Sequence, residues 1–108
     1  MVTNGIDRVQ RSRLLAARLQ PFFEVVVTSQ GSGYAKPDPR ILEVALDALG
    51  VPPRETVYVG DDPAVDGRVA RAAGVGFVWV DRGDPTPGRR PPRRVTALGQ
   101  LPRLLARA

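Results

Sequence analysis

Short β-branched runs alternate with segments of helical periodicity along this chain, and the alternation limits its possible folds more than any other feature. Three runs have the composition of buried strands: residues 22–29 (FFEVVVTS), 56–62 (TVYVGDD) and 75–80 (VGFVWV). Between them, residues 39–49 and 63–73 place apolar side chains on one helix face, and Gly50 and Gly74 follow as stop signals. Strands joined by helices over such short connections predict a parallel sheet with right-handed crossovers.

The flanking segments extend the same order. They are, along the chain, a strand tip at Val2 and Thr3, a helix over residues 6–19 closed by Pro21, a loop over residues 30–39, a short edge strand over residues 94–98 and a terminal helix over residues 101–108. We expect one domain over residues 1–108, with an arginine- and proline-rich loop over residues 82–94. The predicted fold class is α/β, a three-layer Rossmann-like parallel sheet.

Two absences in the composition restrict the chemistry. The 108 residues contain no cysteine, which excludes disulfides and thiolate metal sites, and no histidine, which excludes the commonest general base and zinc ligand. Any catalysis must therefore use carboxylates, hydroxyls, amides, the single lysine or the arginines. No apolar run reaches the roughly 18 residues of a membrane span, and arginines interrupt the N-terminal region, so we expect a cytoplasmic protein.

The positive charge is confined to one end of the chain. The formal net charge is +5, and it arises after residue 81, where seven arginines face one acidic residue, Asp84. A basic segment of this kind can bind nucleic acid, with an affinity that falls steeply as salt rises. The segment has no aromatic residues interleaved with its arginines, which favours a solvated surface and makes nucleic acid an unlikely partner.

Polar residues that could take part in catalysis or ligand binding follow the predicted strands. Thr3 and Asn4 follow the first strand tip, Lys36 lies in the loop after the second strand, and Asp61 and Asp62 end the third. Because the carboxyl ends of parallel strands form the binding edge of an open α/β sheet, these side chains are expected on one edge. Singly, Thr3 and Asn4 are equally typical of a turn, and one lysine could persist in a loop by chance.

The carboxylates after the third strand are the metal candidates. Hard oxygen ligands suit Mg²⁺, which takes one or two protein carboxylates and keeps water or phosphate oxygens at its other positions. Asp62 precedes Pro63 and suits a helix N-cap, as Asp38 does before Pro39, so we assign the metal to Asp61. Asp66 is one turn into the helix, where it can support the metal or face solvent.

Three motifs taken together resemble the haloacid dehalogenase (HAD) superfamily, in particular its phosphatase and nucleotidase-like subgroup with a helical cap. They are VTNG at residues 2–5, GYAKPDPRIL at residues 33–42 and VYVGDDPAVDGRVARAAG at residues 57–74. In that family a strand ends in Thr or Ser, a lysine stands in a Lys-Pro context, and a later strand ends Gly-Asp with a second carboxylate shortly after. The resemblance covers about residues 2–83.

The resemblance implies a Mg²⁺-dependent phosphoric monoester hydrolase that acts through an aspartyl-phosphate on a small phosphorylated metabolite. Thr3 and Asn4 would hydrogen-bond the phosphoryl oxygens, and Lys36 would neutralise charge on the nucleophile and the phosphoryl group. Asp61 would bind Mg²⁺, with Asp66 in support. Phosphoryl transfer depends mostly on positioning and electrostatic stabilisation, and these groups supply both.

The sequence departs from the family at its first motif. That motif is an apolar strand ending Asp-x-Asp, which supplies the nucleophile, and no Asp-x-Asp occurs in the 108 residues. The cap domain that selects substrate is also not found. We therefore expect the C-terminal part of a hydrolase, a core without its central first strand, inactive alone and completed by an N-terminal half or a partner chain. The alternative is a non-catalytic module that binds phosphate or complements a partner.

Overall fold

The computed structural model of the chain describes residues 1–83 and 91–106. The strands are β1 (Val2–Thr3), β2 (Val27–Thr28), β3 (Val57–Gly60), β4 (Gly76–Val80) and β5 (Arg94–Val95). The helices are α1 (Asp7–Ala16), α2 (Ser29–Ser32), α3 (Arg40–Leu49), α4 (Asp66–Ala73) and α5 (Leu101–Ala106). Single 3-10 turns cover Gln20–Phe22, Pro53–Glu55 and Leu98–Gln100.

All the strand pairs of the described residues are parallel, as predicted, but they form two groups. β1 pairs with β2, with Thr3 opposite Thr28. β3, β4 and β5 form the second group in that order, with Tyr58 opposite Phe77. Within the described residues no backbone ladder joins β1 to β3, and the side chain of Tyr58 reaches across to the carbonyl of Val2 at 3.4 Å.

Helices α3 and α4 cover one face of the strands. Their apolar positions recur at helical spacing, and the buried residues of this face are Val27, Ile41, Leu42, Ala45, Leu46, Val69, Ala70 and Val75. Full burial of a Val, Leu or Ile side chain contributes roughly 1.5–3 kcal/mol, so this cluster is the main source of hydrophobic stabilisation. Gly50 and Gly74 end the two helices in the left-handed conformation, at φ 69° and 73°, as the sequence predicts.

Helix α5 covers the opposite face. Val78, Val80 and Val95 are buried there, and Leu101 and Leu104 of α5 pack against them. Helices on both faces of parallel strands give a three-layer α/β/α arrangement, so the predicted fold class is confirmed.

Helix α1 and strand β2 are shorter than predicted. α1 ends at Ala16 instead of Leu19 because Arg18 adopts a left-handed conformation, at φ 59°, and the Leu19 amide donates to the Leu14 carbonyl at 2.9 Å. The strand predicted over residues 22–29 is wrong in extent. Only Val27–Thr28 is paired, because its partner β1 offers just two residues.

The connection after β2 contains a helix that was predicted to be a loop. α2 forms because Thr28 is its N-cap: the Thr28 hydroxyl oxygen accepts from the Gly31 amide at 3.0 Å. Gly33 ends the helix at φ 81°. Further along, Asp38 accepts from the amide of Arg40 at 3.0 Å, but α3 begins at Arg40 and its N-cap is Pro39, so the N-cap predicted at Asp38 is one residue too early.

The loop predicted over residues 82–94 is corrected at its end. Arg94 belongs to β5, where it lies opposite Trp79. Residues 84–90 lie outside the described part of the chain. The edge strand predicted over residues 94–98 exists but is limited to Arg94–Val95.

Candidate functional site

Asn4, which directly follows β1, binds the backbone of Lys36 in the loop between α2 and α3. Its side-chain carbonyl accepts from the Lys36 amide at 2.7 Å, and its side-chain NH₂ donates to the Lys36 carbonyl at 3.2 Å. One amide group thus satisfies both backbone polar groups of a loop residue that stands 32 positions later in the chain. The two-point contact fixes where Lys36 leaves the backbone, and it brings two predicted site residues together.

The Lys36 ammonium forms an ion pair with Asp66 at the start of α4. Lys36 Nζ donates to Asp66 Oδ1 at 2.8 Å, and the two side chains are 17% and 4% exposed. Burial of Lys36 disfavours its charged form, but the hydrogen bond to Asp66 and the nearby negative charge outweigh burial and raise the pKa of Lys36 above its ordinary value of 10.5. The lysine therefore stays cationic at neutral pH.

Further donors hold the Asp66 carboxylate in place. The amide of Asp62 donates to Oδ2 at 3.3 Å, and the hydroxyl of Tyr58 lies 3.4 Å from Oδ1. The carboxylate also lies against the backbone of Gly60, where an added Cβ would come within 2.7 Å of the Asp66 Cβ. Glycine at position 60 is therefore required for Asp66 to approach the tip of β3.

Asp62 and Asp61 have different environments at the tip of β3. Asp62 Oδ1 accepts from the amides of Ala64 and Val65 at 3.1 and 3.2 Å, in the turn that precedes α4. The N-cap predicted at Asp62 is therefore corrected, because α4 begins at Asp66 and its N-cap is Val65. Asp61 is exposed, and within the described residues its Oδ2 lies 3.9 Å from Nε of Arg82. The oxygens of Asp61 are thus the more available to a cation.

Thr3 lies beside this cluster with different partners. Its hydroxyl donates to the Asn4 carbonyl at 3.3 Å and lies 3.4 Å from the side-chain nitrogen of Gln10. The described hydrogen bonds of the Thr3 side chain therefore run to α1 and to Asn4, and none of them is with Lys36, Asp61 or Asp66.

Tyr58 and Gln10 are the contributors that the sequence reasoning missed. Burial first, and then the negative charge of Asp66, raises the pKa of Tyr58 above its ordinary value of 10.0, so the phenol is neutral at physiological pH. Strand alternation could have identified Tyr58, because residues two apart on a strand share a face and Gly60 is the position that Asp66 contacts. No comparable signal marks Gln10.

The residues present fit a magnesium ion in part. Asp61 supplies an available carboxylate, and Asp66 supplies a second whose oxygens already accept hydrogen bonds. Within residues 1–83 and 91–106, no three acidic side chains lie close enough together to hold a metal ion. One or two carboxylates are the usual protein share of a Mg²⁺ site, so the donor set suits this ion.

Parallel strands in three layers, with a lysine and aspartates in the segments that follow the strands, define the class as an α/β protein of the Rossmann-like kind. The comparison with known families agrees. The family model for haloacid dehalogenase-like hydrolases matches residues 1–74, and the chain belongs to that family of enzymes. The predicted family is confirmed.

Several phosphatases are similar to the chain. The phosphoserine phosphatase of Thermus thermophilus is 49% identical over 83 residues, which are 77% of this chain and 33% of that protein. The glyceraldehyde 3-phosphate phosphatase of Methanopyrus kandleri is 42% identical over 82 residues, 76% of this chain and 35% of its own length. The crystal structure of a HAD phosphatase from Thermococcus onnurineus superposes with a TM-score of 0.86 at 31% identity, covering 94% of this chain and 46% of that one.

The chain thus spans about a third to a half of the length of these relatives. The described helices include none with the length and hydropathy needed to cross a membrane.

Proposed function

We propose that this chain forms the phosphate-binding and metal-binding part of a cytoplasmic, Mg²⁺-dependent phosphoric monoester hydrolase that acts on a small phosphorylated metabolite. The observation that carries the proposal is the Lys36–Asp66 ion pair beside the Asn4 contact. A lysine fixed at both its backbone and its ammonium group is a preorganised cation. Such cations stabilise charge that develops on a transferring phosphoryl group.

Lys36 neutralises the phosphoryl oxygens and the attacking carboxylate. Its high pKa keeps it positive across the pH range of metabolism, and its low exposure strengthens its attraction for an anion. Thr3 and Asn4 remain our candidates for hydrogen bonds to the phosphoryl oxygens. Asn4 would have to share its NH₂ group between the substrate and the Lys36 carbonyl, since that group has two protons.

Asp61 would hold Mg²⁺, with Asp66 in support. The ion would supply Lewis-acid neutralisation of the phosphate charge when bound. Arg82 lies close enough to Asp61 to share its charge, so the arginine must yield part of this contact to a cation. Asp62 stays in the turn before α4, where its carboxylate accepts from two amides.

We infer that the nucleophilic carboxylate comes from an extended segment lying between β1 and β3, in an N-terminal half or in a partner chain. The described aspartates at this edge already have roles, and the 108 residues contain no Asp-x-Asp. Within the described residues β1 and β3 are not paired with each other, and the Tyr58 side chain reaches from β3 to the Val2 carbonyl of β1. An unpaired strand edge can take up a further strand, which would replace this side-chain contact.

A phosphatase assay and a binding titration test the proposal. Residues 1–108 alone should not hydrolyse an aryl phosphate with Mg²⁺, and turnover would mean that the nucleophile lies within this chain. Mg²⁺ together with phosphate should raise the melting temperature, because a ligand that binds only the folded state stabilises it by RT ln(1 + [L]/Kd). Asp61→Asn should remove the rise, whereas the exposed control Asp47→Asn should keep it.

The lack of an Asp-x-Asp also favours a second candidate, a non-catalytic module that binds phosphate or complements a partner. It predicts the same stabilisation by Mg²⁺ and phosphate. The two differ when a segment carrying Asp-x-Asp is supplied, since only the hydrolase then gains phosphatase turnover. Absence of any stabilisation at millimolar ligand would count against both.

A further inference from the structure

Tyr58 makes contacts that packing alone does not require. Its ring lies in the half-buried layer under α4, with its centroid 6.5 Å from that of Phe77. Its hydroxyl lies 3.4 Å from Asp66 Oδ1 and 3.4 Å from the Val2 carbonyl. Lys36 Nζ lies 6.0 Å from the centroid of the same ring. One side chain therefore lies near the end of β1, the lysine and the buried carboxylate.

The hydroxyl has one proton and two acceptors within reach. A carboxylate oxygen is a stronger acceptor than a carbonyl, so the proton is directed mainly at Asp66 Oδ1, the atom that also accepts from Lys36. The face of the Tyr58 ring attracts the same cation, whose Nζ lies over it. Phenylalanine would fill the same space and keep the ring contacts, but it would lose the hydroxyl interactions.

We propose that Tyr58 is a positioning residue for the Lys36 ammonium. Its hydroxyl restrains the Asp66 carboxylate and its ring restrains the lysine, so that the cation is held at one place on the sheet edge. The structural part of the inference stands on these contacts alone. Its consequence for phosphate binding rests on the proposed function.

The chain has a single lysine, which makes the test direct. ¹⁵N-lysine labelling of residues 1–108 gives one side-chain NH₃⁺ signal, from Lys36, at mildly acidic pH and low temperature. We expect its protons to exchange about fivefold faster in Tyr58→Phe, the ratio that corresponds to ~1 kcal/mol of lost hydrogen bonding. Tyr34→Phe is the matched control, because it also removes a phenol hydroxyl but the ring of Tyr34 contacts Arg40 instead of Lys36. This variant should leave the exchange rate unchanged.

A second measurement does not depend on the folding of a variant. The wild-type chain should give nuclear Overhauser contacts between the Lys36 ε-methylene protons and the Tyr58 ring. Their absence, or an exchange rate in Tyr58→Phe equal to that of the wild type, would overturn the positioning role.

Phosphate affinity separates this inference from the proposed function. In melting titrations with Mg²⁺ and inorganic phosphate, Tyr58→Phe should raise the apparent Kd about fivefold while Tyr34→Phe leaves it unchanged. If the wild type binds no phosphate, the proposed function fails while the exchange result still decides the role of Tyr58. If Tyr58→Phe changes the Lys36 signal but not the phosphate affinity, the role of Tyr58 in the site is wrong.

Discussion

Asp66 is a carboxylate buried on the same helix as Val69 and Ala70, and the donors around it explain why it can lie there. Lys36 supplies an ammonium group, Asp62 an amide and Tyr58 a hydroxyl. A buried charge is tolerated when it is paired and hydrogen-bonded, and it becomes costly when one partner is removed. At the residue scale, the Lys36–Asp66 ion pair therefore contributes to the stability of the fold as well as being a candidate for function.

Replacement of the lysine should therefore destabilise the fold. Lys36→Met keeps the aliphatic length but leaves the Asp66 carboxylate without its cation, and we expect a loss of about 2 kcal/mol in the free energy of unfolding. Urea denaturation measures it. Arg40→Met is the matched control, because it breaks the exposed pair with Asp38 and should change stability little. Equal losses in the two variants would contradict the importance of the buried pair.

The raised pKa of Lys36 predicts a loss of stability in alkali. A group whose pKa is higher in the folded state stabilises the fold below its unfolded pKa, and that contribution disappears as pH rises through the folded value. The melting temperature should thus fall above about pH 10.5, the ordinary lysine value. Tyr58, whose pKa is also raised, adds to the same fall. Lys36→Met should show a shallower alkaline fall, and an equally steep one would refute the assignment to Lys36.

At the scale of elements, the sequence was most informative where apolar periodicity and stop signals agreed. α3 and α4 end at Gly50 and Gly74 as predicted, since glycine adopts the left-handed conformation without steric cost. β2 was overestimated because β-branched composition predicts a strand but not the length of its partner. α2 was missed because the glycines of its sequence favour a loop, although Thr28 before it is an N-cap signal.

The end of α1 gives a prediction at this scale. Arg18 has φ 59°, where a side chain is disfavoured and glycine is not. Arg18→Gly should therefore stabilise the protein by about 0.5–1 kcal/mol, after the entropic cost of glycine in the unfolded chain. Thermal or urea unfolding measures it. Arg13→Gly, inside the same helix, should instead destabilise by about 1 kcal/mol, and a destabilising Arg18→Gly would contradict the left-handed assignment.

At the scale of the whole molecule, the fold class and the family could be predicted from the sequence. The pairing of side chains within the candidate site could not. Motif spacing pointed to Lys36, Asp61 and Asp66 but could not show that Asp66 pairs with the lysine while Asp61 stays exposed. Asn4 was predicted to bind phosphate, and its partner in the structure is the backbone of Lys36. Contacts between residues some thirty positions apart depend on how the strands assemble, which local pattern does not encode.

The central proposal also concerns the whole molecule. It is that the residues of the candidate site form one part of a phosphate-ester hydrolase. The relatives that support it include a Thermus thermophilus phosphoserine phosphatase that aligns with 77% of the chain. Because the alignment covers 33% of that enzyme, the matching stretch can be exchanged between the two while the rest of the enzyme is retained. The resulting chimera tests this chain's residues in a complete enzyme.

The decisive measurement is the Mg²⁺-dependent rate of phosphoserine hydrolysis by that chimera. We expect turnover, and we expect Lys36→Met in the chimera to lower kcat by a factor of about 10² or more, the usual cost of removing an electrostatic contact to the reacting group. Asp47→Asn in the same chimera should leave the rate unchanged. A folded chimera without turnover, or one that turns over equally well with Lys36→Met, would contradict the proposed site.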